Sequence, residues 1–296
     1  MNLCPGLLLF FAPLVQDAPP AAEGPVTVRP VPVEGLEWWT ARHAAILERV
    51  KTARPRAIFL GDSITHGWEQ AGAEEWKRRY APLDALNLGF SGDCTQHLLW
   101  RLRNGEVEHI APELAVVMIG TNNATAGDSS VDIAAGVEAV LSELGRRLPD
   151  TKVLLLAIFP RGEDRSNRLR QANRRTNAML RELADGERVH WLDLSDVFLE
   201  EDGTLSREVM PDLVHPSAEG YRRWAEAMAP ELALLLDRSP ADPGRGDPGR
   251  DDRREDEGGA DEGHGRAAGE GRERDARELH SGSLPRAALF SSEPFP

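Results

Sequence analysis

Three residues in this chain have the types and spacing for nucleophilic acyl transfer. One is Ser63, in the turn Gly61-Asp62-Ser63; the others are Asp212 and His215, three residues apart in Pro211-Asp212-Leu213-Val214-His215-Pro216. A serine hydroxyl is a weak nucleophile until a neighbouring base takes its proton, and histidine serves best as that base when a carboxylate fixes its tautomer. At this spacing Asp212 and His215 share a face of a helical turn or compact loop, so the carboxylate can hold one ring nitrogen while the other points at Ser63. Pro216 disfavours the α conformation at His215 and sets the imidazole on an extended elbow ahead of the last helix. His66, three residues after Ser63, is the rival base, and no acidic orienter is evident at matching spacing. His43, His97, His109 and His190 read as surface residues.

Groups this far apart in the chain need a scaffold, and the hydrophobic pattern supplies one. Residues 57–60 form a short apolar run closed by Gly61, which reads as a buried strand that delivers Ser63 to its C-terminal end. Further strands are predicted at 83–89, 113–120, 152–160 and 189–194, with Pro160 ending the fourth. The run at 113–120 is apolar almost throughout, as expected of a parallel strand covered on both faces. Helices are predicted at 36–50, around 74–80, after the turn at 89–93 until Asn104 and Gly105, from Ser129 through Leu148, and around 172–183. A last helix carries Tyr221, Trp224, Met228 and Leu232 and is expected to bend or restart at Pro230, which cannot donate to Glu226. Alternation of strand and helix predicts a doubly wound parallel α/β sheet, whose ligands lie at the carboxyl ends of the strands. Three predicted strand ends carry polar turns: Gly61-Asp62-Ser63, Ser91-Gly92-Asp93 and Gly120-Thr121-Asn122-Asn123.

The 296 residues are 41% apolar, enough for a sizeable core, and the formal net charge of −14 argues against a nucleic-acid backbone as partner. Cys4 and Cys94 are the only cysteines, so neither a thiolate metal site nor a disulfide framework is implied. Residues 1–17 read as a secretory signal segment and so predict export, since the apolar run 3–15 is shorter than the roughly 20 residues of a membrane span. Five prolines within 18–35 predict an extended linker, and the domain is expected over 36–236. Residues 237–296 read as a disordered charged tail, because 237–280 hold 14 acidic residues, 9 basic residues and 9 glycines with almost nothing to bury.

The blocks GDSIT with Ser63, NLGFSGD with Gly92, GTNN with Asn122 and DLVHP with Asp212 and His215, in that order, resemble the SGNH, or GDSL-type, esterases. The nearer similarity is to the catalytic subunits of the platelet-activating-factor acetylhydrolases and their bacterial relatives, and it extends to PRGEDRSNRLRQANRRTN at 160–177. The resemblance implies a flavodoxin-like three-layer α/β/α sandwich with a five-stranded parallel sheet and neither metal nor cofactor. It implies Ser63 as nucleophile, His215 as base, Asp212 as its orienter, and an oxyanion hole from the amides of Ser63 and Gly92 and the side chain of Asn122. By the same analogy Ile64, Thr121 and Val214, each adjacent to one of these residues, close the acyl pocket. The expected activity is hydrolysis of short-chain, acetyl esters of a saccharide, lipid or other small molecule. Long-chain lysophospholipase or thioesterase activity and a catalytically silent binding module are the alternatives. The only protein partner expected is a second copy, as a homodimer.

Overall fold

Along the first strand, Ile58 and Leu60 join one apolar cluster and Ala57 and Phe59 another, and all four are buried. That alternation marks a strand covered on both faces. In the computed structural model, which describes residues 24–236, the sheet comprises β1 (Ala57–Gly61), β2 (Leu86–Gly89), β3 (Leu114–Met118), β4 (Lys152–Leu156) and β5 (Val189–Leu192). All neighbours pair in parallel in the order β2-β1-β3-β4-β5. The order reverses at β1, which lies between β2 and β3, so the crevice at the carboxyl ends of β1 and β3 is where this topology binds ligands.

The helices are, in chain order, α1 (Glu37–Val50), α2 (Ser63–His66), α3 (Ala73–Arg79), α4 (Thr95–Arg103), α5 (Thr121–Ala126), α6 (Ser130–Arg147), α7 (Arg168–Leu180) and α8 (Ala218–Leu235). Trp39 and Val50 of α1, Leu98 and Leu102 of α4, Val137 and Val140 of α6 and Leu180 of α7 cover the face carrying Ile58, Leu60, Val117 and Leu155. On the other face, Trp68, Tyr80, and Tyr221, Trp224 and Met228 of α8 cover Phe59, Val116 and Leu154. The result is a three-layer α/β/α sandwich with the flavodoxin-like strand order. Ser129 caps α6 by accepting from the Asp132 amide at 3.1 Å.

Some elements differ from the pattern reading. β4 stops at Leu156 rather than at Pro160, because the backbone of Ile158 turns to a side chain instead of a strand. The Asn177 carboxamide accepts from its N–H at 2.9 Å and donates to its carbonyl at 2.9 Å. α8 runs through Pro230 as a single helix, held by buried Met228 before it and Leu235 after it. Residues 24–35 do not hang free as the linker reading expects: the Thr27 side chain is buried and its hydroxyl donates to the Asp132 carbonyl at 2.6 Å. The Thr95 hydroxyl in turn donates to the Thr27 carbonyl at 3.0 Å. His43, read as a surface residue, is buried against the rings of Trp39 and Trp100, and burial, assisted by Arg101, lowers its pKa to about 4. Cys94 is buried and free. Among the described residues no helix is long and apolar enough to cross a membrane. The signal segment at 1–17, the first part of the linker and the charged tail at 237–296 lie outside the described residues.

Candidate active site

The chain leaves β1 through a turn that only glycine fits. A Cβ at Gly61 would collide with the Thr65 hydroxyl and the Met118 carbonyl, so the backbone of the turn sits directly against α2 and β3. Asp62 caps α2, accepting from the Ile64 amide at 3.0 Å, and Ser63 becomes the helix's first residue. Burial pushes the Asp62 carboxyl up to about 7 against that hydrogen bond. From α8, the Tyr221 hydroxyl donates to the Ile64 carbonyl at 2.6 Å and ties the turn to the last helix.

Ser63 Oγ lies 2.8 Å from His215 Nε2, and His215 Nδ1 lies 2.6 Å from Asp212 Oδ2. The other Asp212 oxygen accepts from the amides of Val214 at 2.9 Å and His215 at 2.7 Å. One carboxylate therefore folds its own loop and orients the ring. Leu213 makes the turn possible with φ of +63°, a left-handed conformation that a leucine adopts at a cost in backbone strain. Its carbonyl accepts from the Gly162 amide at 2.9 Å, anchoring the loop beyond β4. Burial pushes Asp212 up, but the bonds from the His215 ring and amide and the Val214 amide outweigh it and hold the carboxyl below the usual range. The Asp212 and His215 side chains are 55% and 45% exposed, so the pair stands open to an approaching substrate.

The second turn carries Gly92 with φ of +82° and open space where a Cβ would stand. The backbone can thus approach a ligand without a side chain in between. Among the described residues neither the Ser63 nor the Gly92 amide donates to another group. Asn122, in the first turn of α5, donates to the Asp93 carbonyl at 2.9 Å, which fixes its carboxamide and leaves one N–H over. Three such donors suit the charge that develops on a carbonyl oxygen during acyl transfer.

His66 is turned to other work. Its Nδ1 shares a hydrogen bond of 3.0 Å with Ser91 Oγ, its ring stacks on Trp38, and Glu69 stands 3.7 Å from Nε2, a carboxylate at the same three-residue separation as Asp212 and His215, contrary to the expectation that none was present. Burial and then Arg42 lower its pKa to about 4. Of the residues expected to close the acyl pocket, Ile64 is buried in the cluster with Trp68 and Tyr221, and only Val214 is half-buried. The Thr121 hydroxyl and carbonyl both accept from Arg161, at 3.1 and 3.2 Å. Arg161 also donates to the Thr125 hydroxyl at 2.8 Å, and it feels the charges of Asp62 and Asp212, so it braces α5 from the loop after β4. Sequence reasoning gave no role to Arg161, to Asp93 or to Arg101; the signals were that Arg161 lies just after the predicted fourth strand, in the 160–177 block that carries the resemblance, and that Asp93 ends a polar turn.

A serine, a histidine and an acid in hydrogen-bonded series at the switch point of a flavodoxin-like sheet define an acylhydrolase. Residues 59–223 match the GDSL-like lipase/acylhydrolase family, and the chain belongs to that family. It is 38% identical over 222 residues to the platelet-activating factor acetylhydrolase IB subunit alpha1 of Bos taurus, covering 74% of this chain and 92% of that one. The alpha2 subunit of Rattus norvegicus is 35% identical over 211 residues, covering 71% and 90%. A GDSL-like lipase structure from Bacteroides thetaiotaomicron, 20% identical, superposes with a TM-score of 0.53 over 67% of this chain and 97% of that one, which supports the fold.

Proposed function

We propose that this protein is a serine esterase that removes short acyl groups, acetyl above all, through an acyl-enzyme on Ser63. The observation that carries the reading is the series Ser63–His215–Asp212, at 2.8 and 2.6 Å. Ser63 Oγ adds to the ester carbonyl as its proton passes to His215 Nε2, and Asp212 stabilises the imidazolium. The negative charge on the former carbonyl oxygen is received by the amides of Ser63 and Gly92 and the Asn122 carboxamide. Collapse breaks the bond to the alcohol, which leaves with the proton from His215. Water, deprotonated by the same nitrogen, then adds to the acyl carbon; collapse breaks the bond to Ser63 Oγ, which takes the proton back from His215, and acetate leaves.

Acetyl is favoured because the sequence relatives are acetylhydrolases by name and because half-buried Val214 stands beside the base. A structural relative of the same fold is an acetyl-xylooligosaccharide esterase, at 20% identity and a TM-score of 0.51, which puts acetylated saccharides among the alcohols to try beside acetylated lipids. The test is a panel of aryl acetate, aryl octanoate, acetylated xylooligosaccharides and acetylated ether phospholipids, run with wild type and Ser63→Ala. The reading expects acetate to be cleaved well ahead of octanoate and all turnover to vanish in the variant. Octanoate cleaved as efficiently as acetate would favour a lysophospholipase or thioesterase, and no turnover of any ester would favour a binding module.

A further inference from the structure

Behind the Gly92 turn lies a charged group that the acyl-transfer chemistry does not touch. Asp93 follows Gly92 directly, and its side chain is fully buried. One carboxylate oxygen accepts from Arg101 Nε at 2.8 Å, the other from Trp39 Nε1 at 2.8 Å. Arg101 is equally buried; it lies over the Phe90 ring at 4.0 Å, donates to the Leu88 carbonyl at 3.1 Å, and pairs through Nη1 with Glu106. Its Nη2 reaches 3.5 Å from the Gly61 carbonyl, just before the nucleophile turn. The Asp93 main-chain carbonyl is the acceptor that fixes Asn122.

Two of the three oxyanion donors therefore depend on one residue: Asn122 through its hydrogen bond to the Asp93 carbonyl, and Gly92 through the turn that the Asp93 amide closes by donating to the Phe90 carbonyl at 3.2 Å. A buried carboxylate is costly unless paired and hydrogen-bonded, and here both oxygens are occupied by donors from two different helices, α1 and α4. This fixes the side chain in every direction and with it the peptide on either side. We propose that Asp93, held by Arg101 and Trp39, is the positioning residue of the oxyanion hole, setting the Gly92 amide and the Asn122 carboxamide at once. The proposal rests on the acyl-enzyme reading and adds to it a residue that never touches substrate. Misplacement by a fraction of an ångström weakens donors that act mainly in the transition state, so the expected signature is a fall in kcat with little change in KM.

The test uses the full-length chain and aryl acetate, with melting temperature and circular dichroism as checks of folding. Asp93→Asn, which keeps the shape but sets an amide against Arg101, is expected to lower kcat about 10- to 100-fold at nearly constant KM. Should it fail to fold, Trp39→Phe keeps an aromatic ring in the cluster at the cost of a small cavity, removes one hydrogen bond and is expected to lower kcat about 3- to 10-fold. A role in folding alone would lower the melting temperature and leave kcat per folded molecule unchanged, and would overturn the proposal. The deciding readout is coupling: in an Asn122→Ala background the effect of Trp39→Phe on kcat is expected to shrink, because part of what it disturbs is already gone. Full multiplicative effects in the double variant overturn the proposal while the serine-esterase reading stands. An Asn122→Ala enzyme with wild-type kcat overturns the oxyanion assignment and, with it, the role given to Asp93.

Discussion

Asp212 and His215 meet across three residues of exposed loop, with every hydrogen bond between them local and one left-handed leucine making the turn. Gly92 and Asn122 come together differently, around a buried aspartate whose partners lie on α1, α4 and α5. The Asp212–His215 side of the site is thus built by its own short segment, whereas Gly92, itself exposed, and Asn122, half-buried, are held from behind by a buried charge network that several helices build. The contrast follows the chemistry. A base must reach both the serine and incoming water, so exposure helps it; an oxyanion donor must already be in place when charge develops, so a rigid support behind it helps it.

The comparison breaks first at its exposed side. Ser63→Ala is expected to abolish turnover, and His215→Ala to lower kcat by about 10² to 10⁴, the usual worth of a general base, while both keep the wild-type melting temperature. His66→Ala should stay near wild type; an inactive His66→Ala beside an active His215→Ala would reverse the assignment. On the side braced from behind, Asn122→Ala is expected to lower kcat by about 10² to 10³ with KM little altered, and a change in KM alone would recast Asn122 as a ground-state contact.

A smaller effect sharpens the comparison through pH. Arg101 faces two buried carboxylates, Asp93 and Glu106, and one Glu106 oxygen has no hydrogen-bond partner among the described residues. Burial pushes Glu106 up to about 7, against the pull of Arg101. A carboxyl raised on folding binds more protons in the folded than in the unfolded state between its ordinary value and the raised one. Stability from this group is therefore complete at acid pH and falls as pH rises toward 7. Glu106→Gln, which resembles the protonated form, is expected to match wild type near pH 5 and to be more stable by about 1–3 kcal/mol near pH 8, read from denaturant melts. Equal stability of the two proteins at both pH values would show that Glu106 stays ionised throughout.

The smallest effect separates a pocket wall from the core. Val214→Ala, half-buried beside the base, is expected to narrow the acetate-to-octanoate ratio about tenfold with little loss of melting temperature. Ile64→Ala, at 2% exposure, should instead cost about 2–5 kcal/mol of stability through the cavity it leaves. If Ile64→Ala alone opened the enzyme to octanoate at unchanged stability, the acyl chain would be running through what the structure shows as core.

The amino-acid sequence by itself determined the features that are written locally. Period-two and apolar runs specify strands because a sheet buried on both faces admits little else, and five such runs joined by amphipathic helices have few ways to wind. The nearness of Asp212 to His215 was legible for the same reason, since three residues of chain cannot separate them far. Only the tertiary structure decided the partners of the buried charges. Asp93 was legible only as the end of a polar turn, Arg101 and Glu106 carried no signal of burial, and Trp39 is 54 positions from the carboxylate it donates to. Nothing in the spacing of such residues reports a shared interior, because a buried ion pair forms where packing excludes water, and that is fixed by helices crossing a sheet rather than by neighbours in the chain. The same physics docked Thr27 against α6 where proline content suggested an extended linker, and drew His66 to Ser91, 25 positions on, rather than to the nucleophile three residues before it.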